Sequence, residues 1–298
     1  MSETMTAAQQ NRHNLRTVTR GLYDQQKLRI MMGNRIVANF KAKLGQEPSK
    51  PEEDISDEGK ELLAAIRAEY DRITDGVAKL PRKSPNYVGM DLIGSDTELL
   101  LVHSYFGMVD AENEVTRRLA KILKDFPVFT QFLSLTRGCG PLMSAVLISE
   151  LDPVRARHPS SFWKYAGLDV AEDGAGRSRR KEHQVDVEFI NKDGNKDTKK
   201  GITFNPWLKT KLFVLGTSFI RSGGHYREIY DGYKHRLETD PRHEEKSKGH
   251  RHNMALRYML KMFLVDLHMV WRKIEGLPVS VPYHEAKQGH KHGGEEAA

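Results

Sequence analysis

Three groups of residues have types and spacing that could do chemistry. The first is Phe132-Leu133-Ser134-Leu135-Thr136-Arg137-Gly138-Cys139-Gly140-Pro141-Leu142-Met143-Ser144-Ala145. Two glycines flank one small apolar residue just before a helix start, the pattern of a helix-hairpin-helix. Such a turn admits a phosphate close to the backbone, and the amides and dipole of the next helix point at it. Arg137, Gly138 and Gly140 are therefore candidate backbone contacts, which fix position without reading sequence. An ordinary helical corner would need the same glycines. The second group is Arg177, Arg179, Arg180 and Lys181, four cations within five positions. They predict a phosphate-neutralising loop with salt-sensitive binding, extended by Lys192, Lys196, Lys199 and Lys200. The third is Tyr226, Tyr230 and Tyr233 with Arg227, Lys234, His235 and Arg236. Aromatics and cations at this spacing either stack unpaired bases or pack a helix into a core.

The histidines do not make a metal site. His243, His250 and His252, then His284, His290 and His292, match no compact zinc spacing, and the one cysteine, Cys139, is far from them. His250, Arg251, His252 and Asn253 read instead as phosphate-facing residues. His252, Asn253, Arg257 and Lys261 fall on one polar face of a helix. No metal is expected.

The elements that must position these groups are mostly helical. Near-helical apolar spacing predicts helices over 12–45, from Ser56 to Val77, and from Thr97 to Lys124, broken at Pro48–Pro51 and Pro81–Pro85. Residues 1–127 are thus expected to form a helical bundle or coiled coil that dimerises. After Pro127 the elements shorten. Helices are expected over Phe129–Leu135, Leu142–Leu151, Ser160–Tyr165, Pro206–Arg221 and Arg251–Ile274. Val185–Ile190 alternates like a strand. Asp193-Gly194 and Lys199-Lys200-Gly201 read as turns, with Ile202–Phe204 as the returning strand. Residues 128–275 are expected to make a compact nucleic-acid-binding domain, and 276–298 a flexible tail. The fold class is mainly α, a helical bundle plus a compact helix-hairpin-helix domain with a small β-hairpin insertion.

Bulk properties agree. The chain has 298 residues and a net charge of +7. Residues 1–127 hold 19 basic and 19 acidic residues, whereas 128–298 hold 28 against 21. The whole excess lies in the half with the basic motifs, as expected where one half meets a polyanion. One cysteine excludes internal disulfides and fits a reducing, cytoplasmic compartment. No secretory leader and no membrane span are expected. No phosphate loop of the Gly-x4-Gly-Lys type occurs, which speaks against a nucleotide-driven motor. Before Pro127 no alternating strands with spaced carboxylates suggest a two-metal nuclease.

In combination, several of these motifs carry a resemblance. Gly-x-Gly-Pro at 138–141, an apolar helix ending near Glu150, the block Tyr165-Ala166-Gly167-Leu168, the small turn Gly174-Ala175-Gly176 and the arginine cluster together resemble the C-terminal domain of the insertion-sequence-110 family of transposases (the 110/116/902 group). The resemblance spans Phe132 to Lys181 and continues more weakly into His252–Tyr258. It implies DNA recombination guided by a structured RNA, in a dimer or tetramer, and adds Lys164 and Tyr165 to the candidate contacts. It also implies a nucleophilic serine in the small-residue turn and an N-terminal ribonuclease-H-like domain with four acidic residues. Here the turn has no hydroxyl, Ser178 lies two residues beyond it, and no such acidic domain is visible. Ser178 is the one candidate nucleophile, and Mg2+ enters only if the chain is catalytic; otherwise no cofactor is expected. The two-part plan is also similar to guide-RNA proteins with a Nop domain. The expected function is binding of a structured guide RNA and/or DNA by a homodimer without its own nuclease. The alternatives are an active minimal transposase using Ser178 or another hydroxyl, and a helical scaffold that binds proteins through residues 97–124.

Overall fold

The computed structural model describes residues 7–47, 54–77 and 79–279. The histidines His284, His290 and His292, and most of the expected tail, lie outside the described residues. Nine α-helices occur among them: α1 Ala7–Lys43, α2 Asp57–Ile73, α3 Asp96–Ile122, α4 Pro127–Gln131, α5 Pro141–Glu150, α6 Pro159–Tyr165, α7 Pro206–Ser222, α8 His225–Thr239 and α9 Lys248–Ile274. One antiparallel ribbon, β1 Val185–Ile190 and β2 Lys196–Gly201, interrupts them. The fold is mainly α with a small β-hairpin, as the sequence predicts. None of the described helices is long and apolar enough to cross a membrane.

The chain divides into two compact units, Thr17–Ala120, and Met1–Arg16 with Lys121–Ala298. The first is built on the amphipathic periods of α1, α2 and α3, whose Ile36, Val37, Phe40, Leu63, Ile66, Leu99, Val102 and Phe106 form one buried cluster. Ser56 caps α2 by accepting the Gly59 amide at 3.2 Å. Glu69 is buried, and its carboxylate accepts the amides of Leu92 and Ile93, so it closes the connection into α3.

The second unit is organised around α5. Every residue from Met143 to Glu150 is buried, the mark of a helix apolar on all sides and enclosed by others. The apolar core continues through Phe162, Leu208, Leu212, Phe219, Phe263 and Leu264. The polar end of α5 is held differently. Glu150 has a fully buried carboxylate that pairs with Arg16 through two bonds of 2.9 and 3.0 Å. Asn205 donates to the same carboxylate at 2.8 Å while its own side-chain oxygen caps α7 by accepting the Leu208 amide. The first turns of α1 are thereby fastened to α5 and α7.

The ribbon corrects one expectation. Its returning strand is Lys196–Gly201, not Ile202–Phe204, and Lys199-Lys200-Gly201 lies within the strand rather than in a turn. The reversal is completed at Asn191–Asn195, where the Asn191 side chain accepts the amides of Asp193 and Asn195 and Gly194 has φ +81°. Pairing therefore resumes at once with Ile190 opposite Lys196. Lys196–Gly201 was illegible as a strand because nearly all of it is solvent-exposed, and no buried face imposes an apolar alternation. Phe204 is instead buried beside α7.

Glu150→Ala would leave Arg16 and Asn205 without their shared acceptor at a buried helix end. It is expected to destabilise the protein by about 2 kcal/mol, read as a lowered midpoint in urea unfolding. Glu150→Gln should recover part of the loss.

Candidate nucleic-acid interface

The hairpin at 136–141 is a true tight turn. The Cys139 amide bonds to Thr136 O at 3.0 Å, and Gly138 has φ +91°. At Gly138 the approaching backbone is the protein's own. A Cβ there would meet Ser222 Oγ and Phe219, and Ser218 on α7 donates its hydroxyl to Gly138 O at 2.8 Å. Gly140, by contrast, is exposed and nothing lies within 4 Å of where its Cβ would be. It is the N-cap of α5, with Pro141 following. Arg137 is also exposed, and its side chain runs beside Gly224 at the start of α8. Cys139 is buried, and burial pushes its thiol up to about 11, so it is an inert packing residue.

The segment from Asp169 to Gln184 is a doubly braced loop. Ala171 N bonds to Ala175 O at 2.8 Å, Val170 pairs with Gly176 across a single antiparallel bridge, and Arg177 N bonds to Asp169 O. The Arg177 guanidinium then closes on the Asp169 carboxylate at 2.9 and 3.1 Å. The second brace is His183, a buried imidazole. Its Nδ1 lies 2.9 Å from both the amide and the hydroxyl of Ser178, and its Nε2 lies 3.0 Å from Asp173 Oδ2. An Nδ1 that accepts the Ser178 amide leaves the proton on Nε2, pointing at the carboxylate. The hydrogen bond from His183 is the first cause that holds the Asp173 carboxyl below the usual carboxylate range. Between these braces, Arg179, Arg180 and Lys181 are exposed. Arg180 turns back, its Nε donating to Ser178 Oγ at 3.1 Å and its Nη2 lying 3.6 Å from Asp173. The sequence showed Ser178 but not His183 or Asp173; the residues are only five positions to either side, yet nothing in their spacing marks them.

Behind the loop the structure gathers further cations. The Arg257 guanidinium of α9 lies against Gly176, where any Cβ would collide with it. Lys209 of α7 donates its ammonium to Arg177 O. Lys261, one turn beyond Arg257, lies 4.3 Å from the centre of the Trp163 ring, and Trp163 donates its indole N–H to Lys261 O. Burial first, and then repulsion from Arg257, hold both lysines below the usual lysine range, with Asp169 pulling the other way. In sequence Gly176 belongs to a turn without a hydroxyl; in the fold its missing side chain is the space Arg257 occupies. Lys209 was not singled out from the sequence, because in a helix of mixed character one lysine carries no signal of its own.

The remaining candidates are placed elsewhere in the same unit. Lys164 and Tyr165 are exposed at the end of α6. The ribbon is solvent-exposed along nearly its whole length, with Lys199 over Phe189 at 4.8 Å and Lys200 paired to Asp186 at 2.9 Å. Four lysines and four carboxylates fall within 185–201, so the ribbon adds no net charge. The tyrosines divide. Tyr226 and Tyr230 are buried core residues, Tyr226 against Phe219 and Phe263. Tyr233 is half-buried and stacks on Tyr258 at 4.0 Å, with Arg236 over its ring at 4.6 Å. Lys234 lies 3.9 Å from Glu238, and His235 is exposed. His252 accepts or donates at 2.6 Å to the Tyr230 hydroxyl, Arg251 donates to His243 O, and His250 and Asn253 are exposed. Among the described residues, no group of three or more His, Cys, Asp or Glu is placed to hold a metal ion.

Comparison with known proteins agrees with the resemblance read from Phe132 to Lys181. Residues 130–204 match the sequence model of the transposase IS116/IS110/IS902 family, about a quarter of the chain, and contain the hairpin, α5, α6, the braced loop and the ribbon. No curated protein matches the chain, and no solved structure does.

Gly138→Ala puts a side chain at positive φ into the space of Ser222 and Phe219. A cost of about 1–3 kcal/mol is expected, with a thermal midpoint lower by about 2–4 °C per kcal/mol. Gly140→Ala should leave the stability within about 0.5 kcal/mol of wild type.

Proposed function

We propose that this chain is a transposition-related nucleic-acid-binding protein whose C-terminal unit grips the backbone of a structured guide RNA and/or DNA. In this reading it is a cytoplasmic homodimer joined through the N-terminal helices, and it holds nucleic acid without cutting it. The observation that carries the reading is the braced loop. The Arg177–Asp169 and His183–Ser178–Asp173 contacts fix the backbone on both sides, and Arg179 and Lys181 stand in solvent between them. Among the described residues, neither cation has a carboxylate partner. Cations on a backbone that is already fixed lose less entropy on meeting phosphates than those on a loose one, and they release the counterions of the polyanion. The transposase-family match over the same segment supports this choice of ligand.

One observation favours a second reading, an active minimal transposase. Hydroxyl, imidazole and carboxylate are lined up at Ser178, His183 and Asp173 with 2.9 and 3.0 Å spacings, the arrangement that activates a serine nucleophile. Against it stand the two bonds the Ser178 hydroxyl takes from Arg180 N and Nε, which use it as a local brace.

Arg179→Glu with Arg180→Glu should weaken binding to RNA and DNA oligonucleotides of any sequence, on the order of tenfold or more at moderate salt. The slope of log K against log salt should become shallower by about 1.5–2. Unchanged affinity would remove the loop from the interface. For the second reading, the assay is strand cleavage followed by denaturing electrophoresis. A covalent protein–DNA product lost in Ser178→Ala supports it, and one that survives the substitution eliminates Ser178.

A further inference from the structure

Behind the exposed loop lies a concentration of charge that folding alone does not explain. Arg177, Lys209, Arg257 and Lys261 come from the loop, α7 and α9, and the carboxylate facing both lysines is Asp169. The excess is three positive charges in a half-buried setting. Lysines that fold beside an arginine and away from water cost stability unless something compensates them. Asp169 compensates only in part. Its Oδ2 takes both bonds from Arg177, while its Oδ1 is buried and has no hydrogen-bond partner. Asp169 and Lys261 also line a cavity of about 390 Å³, together with Ser160, Trp163 and Lys164. Two things are thus unsatisfied at one place, a set of four cations answered by a single carboxylate and an oxygen of that carboxylate without a donor.

We infer that this cradle is a built-in site for one nucleotide of the bound strand. Its phosphate lies among Lys261, Arg257 and Lys209, and a hydroxyl or N–H of the same nucleotide donates to Asp169 Oδ1. The inference rests on the nucleic-acid-binding reading and deepens it. The exposed loop meets phosphates at the surface, whereas the cradle takes one phosphate inward, balances charge that Asp169 offsets only in part and gives Asp169 Oδ1 a donor. The two lysines hold different parts of it. Lys261 is fixed by the Trp163 ring beneath its ammonium, and Lys209 by the Arg177 carbonyl. Free phosphate keeps a P–OH at neutral pH and could answer both the cations and Asp169 Oδ1; the nucleotide is favoured because the adjoining cavity of about 390 Å³, lined by Trp163, has room for more of a nucleotide than its phosphate.

The test uses the full chain and the variant Lys209→Met with Lys261→Met, which keeps the apolar stems and removes the charges. Without ligand, the variant should melt no lower than wild type, because mutual repulsion with Arg257 is gone; this guards against mere misfolding. Binding to a fluorescent single-stranded oligonucleotide should fall about tenfold, and the salt slope should become shallower by about 1, the share of one phosphate. Wild-type oligonucleotide binding that persists in the double variant at the same affinity and slope overturns the cradle and leaves the exposed-loop reading standing. A wild type that binds no oligonucleotide at low salt overturns that reading instead. A second arm then judges the cradle alone. Inorganic phosphate should raise the wild-type melting temperature by a few degrees over chloride of equal ionic strength, and should not do so in the variant. If phosphate and chloride act alike on wild type, the cradle is overturned. If phosphate binds at the cradle as tightly per site as the oligonucleotide, the site takes free anion and the nucleotide assignment is overturned.

Discussion

The ion pair between Arg177 and Asp169 is the contact on which the functional part of this structure turns. It closes the loop that begins at Leu168, after the buried Ala166 and Gly167, and it does so at the boundary between inside and outside. On its outer side the chain passes directly into Ser178 and the exposed arginines. On its inner side the Asp169 carboxylate faces Lys209 and Lys261, both of which also feel Arg257. A single half-buried pair cannot neutralise that much positive charge in a medium less polarisable than water. The loop is therefore stable in shape and unbalanced in charge, a combination that suits a polyanionic ligand.

Charge balance also separates parts of the molecule that look equally basic in sequence. The ribbon is rich in lysine yet neutral, and its Lys200 is already paired with Asp186. The braced loop has fewer cations, but Arg179 and Lys181 are not paired with carboxylates among the described residues. What matters for binding is the charge left over after folding, and counting lysines alone would have favoured the ribbon. The tyrosines teach the same lesson for aromatics. Tyr226 and Tyr230 are spent on the core, and the surface stack that remains is Tyr233 on Tyr258 under Arg236.

Much of this was legible in the sequence, for physical reasons that differ by element. The long helices announce themselves through apolar residues such as Ile36, Val37 and Phe40, whose period is set by burial on one face. The tight turn at 138 was visible because only glycine adopts its positive φ without strain, and the exposed cations of 179–181 because charges crowd there. The second strand was illegible since both of its faces are wet. His183 and Asp173 were illegible as partners of Ser178 because a short one-turn helix at 181–183 folds the chain back on itself. The cradle was least visible of all. It joins α7, α9 and the loop, residues far apart in the chain, and only the tertiary fold brings Lys209 to Arg177.

The central claim is that this unit holds nucleic acid, and the most direct measurement is what accompanies the protein when it is purified. Isolated at low salt, the full chain should carry nucleic acid that leaves in high salt, rebinds on dilution and yields a defined population of sequences when read. Protein that comes free of nucleic acid, and that fails to bind both RNA and DNA at low ionic strength, would contradict the account.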